Sequence, residues 1–70
     1  MHFLDRMRIE RDELYEKTHA AYLKVNEEDA YEKLGKRQYR LLVQQLAYMN
    51  QYYLTLCERI KDIEETNEST

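Results

Sequence analysis

The chain has no proline and no tryptophan, and among its 70 residues there is one glycine, Gly35, one phenylalanine and one cysteine, Cys57. Sheet proteins place Gly and Pro turns every few positions, so a sheet is excluded as the organising pattern. A single cysteine excludes an intrachain disulfide and fits a reducing compartment. Cys57 lies inside a helical pattern, between Leu56 and Glu58, and reads as a passive small side chain. The two histidines, His2 and His19, stand far apart on one predicted helix, so no metal site is expected. No apolar run approaches the ~20 residues that cross a bilayer. The opening Met1-His2-Phe3-Leu4-Asp5-Arg6 has no apolar h-region and does not read as a signal peptide.

Catalytic patterns are also missing. Cys57 and His19 are the only Cys–His pair, on different helices and with no third member to orient them. There is no glycine-rich phosphate loop, no set of Glu-x-x-His motifs on facing helices, and no calcium-loop spacing in Glu27-Glu28-Asp29. The expectation is a protein that is not an enzyme and has no cofactor. Eleven Lys and Arg against 14 Asp and Glu give a net charge of −3. That argues against a duplex-DNA binder, whose affinity comes from many basic contacts to phosphate.

What is present is helical periodicity. Leu4, Met7, Arg11, Leu14, Thr18, Ala21 and Val25 repeat at 3-4 spacing, the seam of helices packed at a shallow angle. Arg11 and Thr18 are its polar members. An arginine there needs an open position, an acidic partner or a ligand. Phe3, Tyr15, Tyr22 and Leu23 widen this face. A second seam, Tyr39, Leu42, Leu46, Met49, Tyr53, Leu56, Ile60 and Ile63, has no charged member. It predicts a helix over about 36–64, roughly 43 Å long. Leu41, Gln45, Tyr48, Tyr52 and Arg59 form a stripe beside it. A helix with two adjoining stripes packs against two neighbours.

The spacing therefore predicts an all-α fold, an antiparallel two-helix hairpin. Its helices run over about 3–25 and 36–64, with a connection over 26–35 and a polar, fraying tail over 65–70. Asn26 can end the first helix in the left-handed conformation, or cap a short turn with Asp29. Tyr31 and Leu34 are spaced to fold back onto the hairpin end. Gly35 ends that turn or begins the second helix. Seventy residues bury too little surface for a generous core, and oligomerisation is the remaining means of support. The expected assembly is a homo-oligomeric helical bundle of this chain with itself.

Two clusters have two readings each. Tyr48 and Tyr52 lie four apart, with Gln45 before them and Arg59 after. Aromatic rings stack on nucleobases, arginine forks match phosphates, and glutamine reads base edges. The same tyrosines also suit a helix–helix seam with hydroxyls at its wet rim. Lys36, Arg37 and Arg40 make a basic cluster at the start of the second helix. They read as an anion site, or as a solvated face offset by Glu27, Glu28, Asp29 and Glu32.

Arg6-Met7, Glu10, Leu14 and Lys17, then Leu34, Leu41-Leu42, Gln45, Met49, Tyr52, Leu56 and Arg59-Ile60 form a pattern over about residues 4–61. It resembles a family of small phage-encoded helical-hairpin proteins that includes members from crAss-like phages. It is similar to the hairpin of phage anti-CBASS cyclic-nucleotide sponges. The sponge's Gly-Tyr-Arg-Asp-Leu-type segment has no counterpart here, and Tyr52-Tyr53-Leu54 replace its helix-two glycine and small residues. The resemblance implies an anti-defence protein in the cytoplasm of the infected bacterial host. It would hold a cyclic di- or trinucleotide or a cyclic ADP-ribose-type signal between subunits without cleaving it. Its ligand-binding residues would be Arg6, Arg11, Gln45, Tyr48, Tyr52 and Arg59. The alternative is a helical protein-interaction module that docks a host or phage protein on the same stripe.

Overall fold

The computed structural model describes residues 2–68. They form three helices: α1 Phe3–Val25, α2 Ala30–Leu34 and α3 Lys36–Glu68. His2 starts α1. Its ring Nδ1 accepts the Leu4 N–H at 3.1 Å, and Asp5 in the first turn complements the helix dipole. Asn26 closes α1, but with φ −91° rather than the left-handed conformation that its residue type allowed. Its backbone N–H and its side-chain amide both donate to the Tyr22 carbonyl, at 3.1 and 2.8 Å.

Asp29 precedes α2 without capping it through its side chain. Its carboxylate instead lies 3.4 Å from Lys33 Nζ, which also reaches Glu27 at 3.9 Å. Gly35 both ends α2 and begins α3. Its N–H donates to Tyr31 O and its carbonyl accepts from Tyr39 N, both at 2.9 Å. At φ 84° and ψ 155° it occupies a region that only glycine enters readily. A Cβ there would meet nothing within 4 Å, so the obstacle to a larger residue is backbone strain and not space. Gly35→Ala is expected to lower the unfolding free energy by about 1–3 kcal/mol in a denaturant titration.

Helices α1 and α3 run antiparallel. Arg8 near the start of α1 reaches Glu64 near the end of α3 at 3.1 Å, and the Tyr15 and Tyr53 rings lie 5.8 Å apart further along. All seven members of the first seam and all eight of the second are buried or half-buried. The core gathers Leu4, Met7 and Leu14 against Leu56 and Ile60, with Met49, Tyr53 and Ile63 packed around them. It lies at the open end of the hairpin. The turn end is closed by α2, where Ala30 is buried and the Tyr31 and Tyr39 rings meet edge to face at 5.4 Å.

The polar seam residues are satisfied locally. Thr18 donates back to the Leu14 carbonyl at 2.7 Å, and Arg11 Nε lies 3.0 Å from the Asp12 carboxylate. The predicted end of the second helix needs correction, because α3 continues beyond 64 to Glu68. No glycine or proline stops it there. Thr66 back-bonds to the Asp62 carbonyl at 2.8 Å, and Lys61 faces Glu65 at 4.0 Å one turn on. Residues 69–70 of the expected tail lie outside the described residues. None of the described helices is long and apolar enough to cross a membrane.

Candidate functional site

The hairpin has two long faces, one on each side of the seam. On the first, the Tyr52 hydroxyl donates to the Glu10 carboxylate across the helices. That contact aligns the Arg6, Glu10 stripe of α1 with the Gln45, Tyr48, Tyr52, Arg59 stripe of α3, since residues three, four and seven apart share a helix face. Tyr48 is 66% exposed and Tyr52 50%. Arg6, Gln45 and Arg59 are exposed as well. The Tyr48 hydroxyl accepts from the Gln44 amide at 3.1 Å, and Gln45 beside it is exposed.

The Tyr52 hydroxyl is held above its ordinary pKa. The bond to Glu10 contributes most, followed by partial desolvation and the Glu10 charge, while the Arg59 charge pulls the other way. The protonated phenol is the form that the fold favours. Its stabilising contribution is therefore present below the unfolded value near 10 and is lost as pH rises through the higher folded value. Glu10→Gln is expected to move the Tyr52 transition back toward the ordinary value, read from ring-labelled tyrosine NMR.

Five of the six candidate ligand residues thus lie along this face, with Arg59 close enough to act on the Tyr52 hydroxyl. Arg11 does not join them. It is half-buried on the seam, engaged with Asp12, and its charge acts on Tyr53 on the other side. Tyr53 is itself held above the ordinary tyrosine value, first by its bond to the Cys57 side chain and then by burial.

The second face carries a groove that sequence reasoning did not isolate. Tyr15, Thr18, His19 and Tyr22 of α1 face Val43, Leu46, Ala47, Asn50 and Tyr53 of α3 around about 490 Å³. The Tyr15 and His19 rings stack at 6.0 Å with a 2° interplanar angle. Large rings at 4-3 spacing opposite the short side chains of Val43, Ala47 and Asn50 leave this volume open. That pairing of large and small was the available signal. Among the described residues no three His, Cys, Asp or Glu side chains gather to hold a metal.

These features define an all-helical chain with exposed aromatic and cationic faces. Residues 1–62 match the model of the family described as Sequestin, and the chain belongs to that family. The family name speaks of sequestration, in agreement with a sponge-type protein. Comparisons with curated proteins and with solved structures gave no significant match.

Proposed function

We propose that this chain is a phage anti-defence sponge that binds a cyclic nucleotide immune signal of the bacterial host and holds it without cleaving it. One observation carries the reading: Tyr48, Tyr52 and Arg59 stand exposed on one face, with Gln45 between Leu41 and Tyr48 and with Arg6 on the same side. Exposed tyrosines at one-turn spacing offer stacking platforms, and arginines beside them offer forked donors to phosphate. The resemblance to the anti-CBASS hairpin and the Sequestin membership support the same reading.

The site is completed between chains. Only six hydrophobic side chains are buried among the described residues, while Leu23, Leu41, Val43 and Leu54 are exposed on the hairpin's outer faces. A second copy covering those faces would supply the support that a chain of this size lacks. Arg11 would serve the ligand only by leaving Asp12 in such an assembly.

Calorimetry against cyclic di- and trinucleotides and cyclic ADP-ribose isomers tests the proposal, with sedimentation equilibrium counting the copies. Saturable binding by an oligomer, and recovery of intact ligand after unfolding, are the expected results. Absence of heat with every compound overturns it. The groove beside Tyr15 and His19 favours a second reading, a module that docks a host or phage protein there. One stoichiometric protein retained from host lysate, with no nucleotide, would select that reading.

A further inference from the structure

We propose that the turn end of the hairpin is a separate phosphate-binding cleft in which Lys36, Arg37 and Arg40 hold the pyrophosphate of a nucleotide beside the Tyr31–Tyr39 ring pair. This cleft lies away from the Tyr52–Arg59 end of the stripe and does not depend on it.

Positive charge is concentrated at the start of α3. From Lys36 to Cys57 the only charged residues of α3 are these three cations, and its first acid is Glu58. In a chain of net charge −3 this concentrates positive charge in one place. The first turn of α3 has no acidic residue, although the helix dipole favours acids there and opposes cations. Of the nearby acids, Glu27 and Asp29 turn to Lys33, and Glu28 and Glu32 form no ion pair with these cations among the described residues. None of the ion pairs among the described residues involves Lys36, Arg37 or Arg40.

Lys36 and Arg40, one turn apart, wall two adjoining clefts. One, of about 240 Å³, is completed by Arg37 and Leu41. The other, of about 260 Å³, is completed by Tyr31, Tyr39 and Val43. Gly35 turns α2 back so that Tyr31 meets Tyr39 beside the cations. Arginine forks and a lysine suit a pyrophosphate, and a tyrosine wall suits the attached ribose or base. A nucleotide spanning both clefts would use cations and rings together.

The test is an amide NMR titration of the full chain with ADP, inorganic pyrophosphate and adenosine as probes. Shifts should concentrate at residues 31–41. ADP should bind roughly tenfold tighter than pyrophosphate, the size expected from stacking on one ring, with adenosine weakest. Joint Lys36→Gln, Arg37→Gln and Arg40→Gln substitution should abolish binding of both anions. These side chains are exposed and oppose the dipole, so the thermal midpoint of that variant should hold or rise. Tyr31→Leu should reduce ADP affinity to that of pyrophosphate, and Arg59→Ala should leave both unchanged. The proposal is overturned if the shifts fall elsewhere or if the triple variant binds as the parent does. Retention of the ADP preference without Tyr31, or loss of binding on Arg59→Ala, would overturn it equally.

Discussion

Leu56→Ala and Ile60→Ala are each expected to cost about 2–5 kcal/mol of stability. Leu56 is 1% exposed and Ile60 2%, the two most enclosed large side chains of the described residues. They sit one helical turn apart on α3 and meet Leu4, Met7 and Leu14 of α1. Truncation removes apolar contact and leaves a void that two stiff helices close only in part. A domain of this length has an unfolding free energy of about 4–10 kcal/mol, so one such loss consumes a large share of it. Urea unfolding followed by circular dichroism measures the effect. Leu54→Ala, on the exposed outer side, is the comparison, because Leu54 is 48% exposed. In a lone hairpin its cost stays within about 0.5 kcal/mol. A larger cost that grows with protein concentration would show that another chain covers Leu54.

Arg59→Ala is expected to weaken binding of the cyclic nucleotide by about 2–5 kcal/mol, roughly thirtyfold to several thousandfold. A phosphate held between subunits loses water, and removing its guanidinium partner leaves that charge uncompensated. Arg59 is exposed and makes no ion pair among the described residues, so folding should be unaffected. Isothermal calorimetry supplies the affinity and a melting curve the control. A drop in affinity of less than threefold would show that Arg59 does not pair with the ligand's phosphate.

The helical pairing was legible because burial acts with the helix's own period. Every seam position from Leu4 to Val25 and from Tyr39 to Ile63 is at least half-buried, and every member of the Leu41–Arg59 stripe is exposed. Local chemistry was harder to read. Asn26 could end α1 in the left-handed conformation or cap the following turn with Asp29, and instead it stays at φ −91° with its side chain bonded back to the Tyr22 carbonyl. The polar residues after 64 predict fraying, whereas threonine back-bonding and the Lys61–Glu65 pair carry α3 on to Glu68. For the candidate site, spacing gave the stripe of Tyr48, Tyr52 and Arg59 but not its cross-helix partner Glu10. Which residue of α1 stands opposite Tyr52 depends on the stagger of two helices, and Gly35 and α2 set that stagger. The groove at Tyr15 and His19 was missed for the same reason, since it exists only once large side chains of one helix face small ones of the other.

The hairpin measures 54 × 18 × 15 Å, with a radius of gyration of 16.0 Å. A globular chain of 70 residues would have a radius near 11 Å, and 16 Å is usual for one of roughly 180 residues. A rod of this shape meets more friction than a sphere of equal mass. On a sizing column a single hairpin would therefore elute earlier than a sphere of its mass. Side-by-side pairing of two such rods thickens the particle without lengthening it. The shift in elution on pairing is then smaller than a doubling of mass suggests.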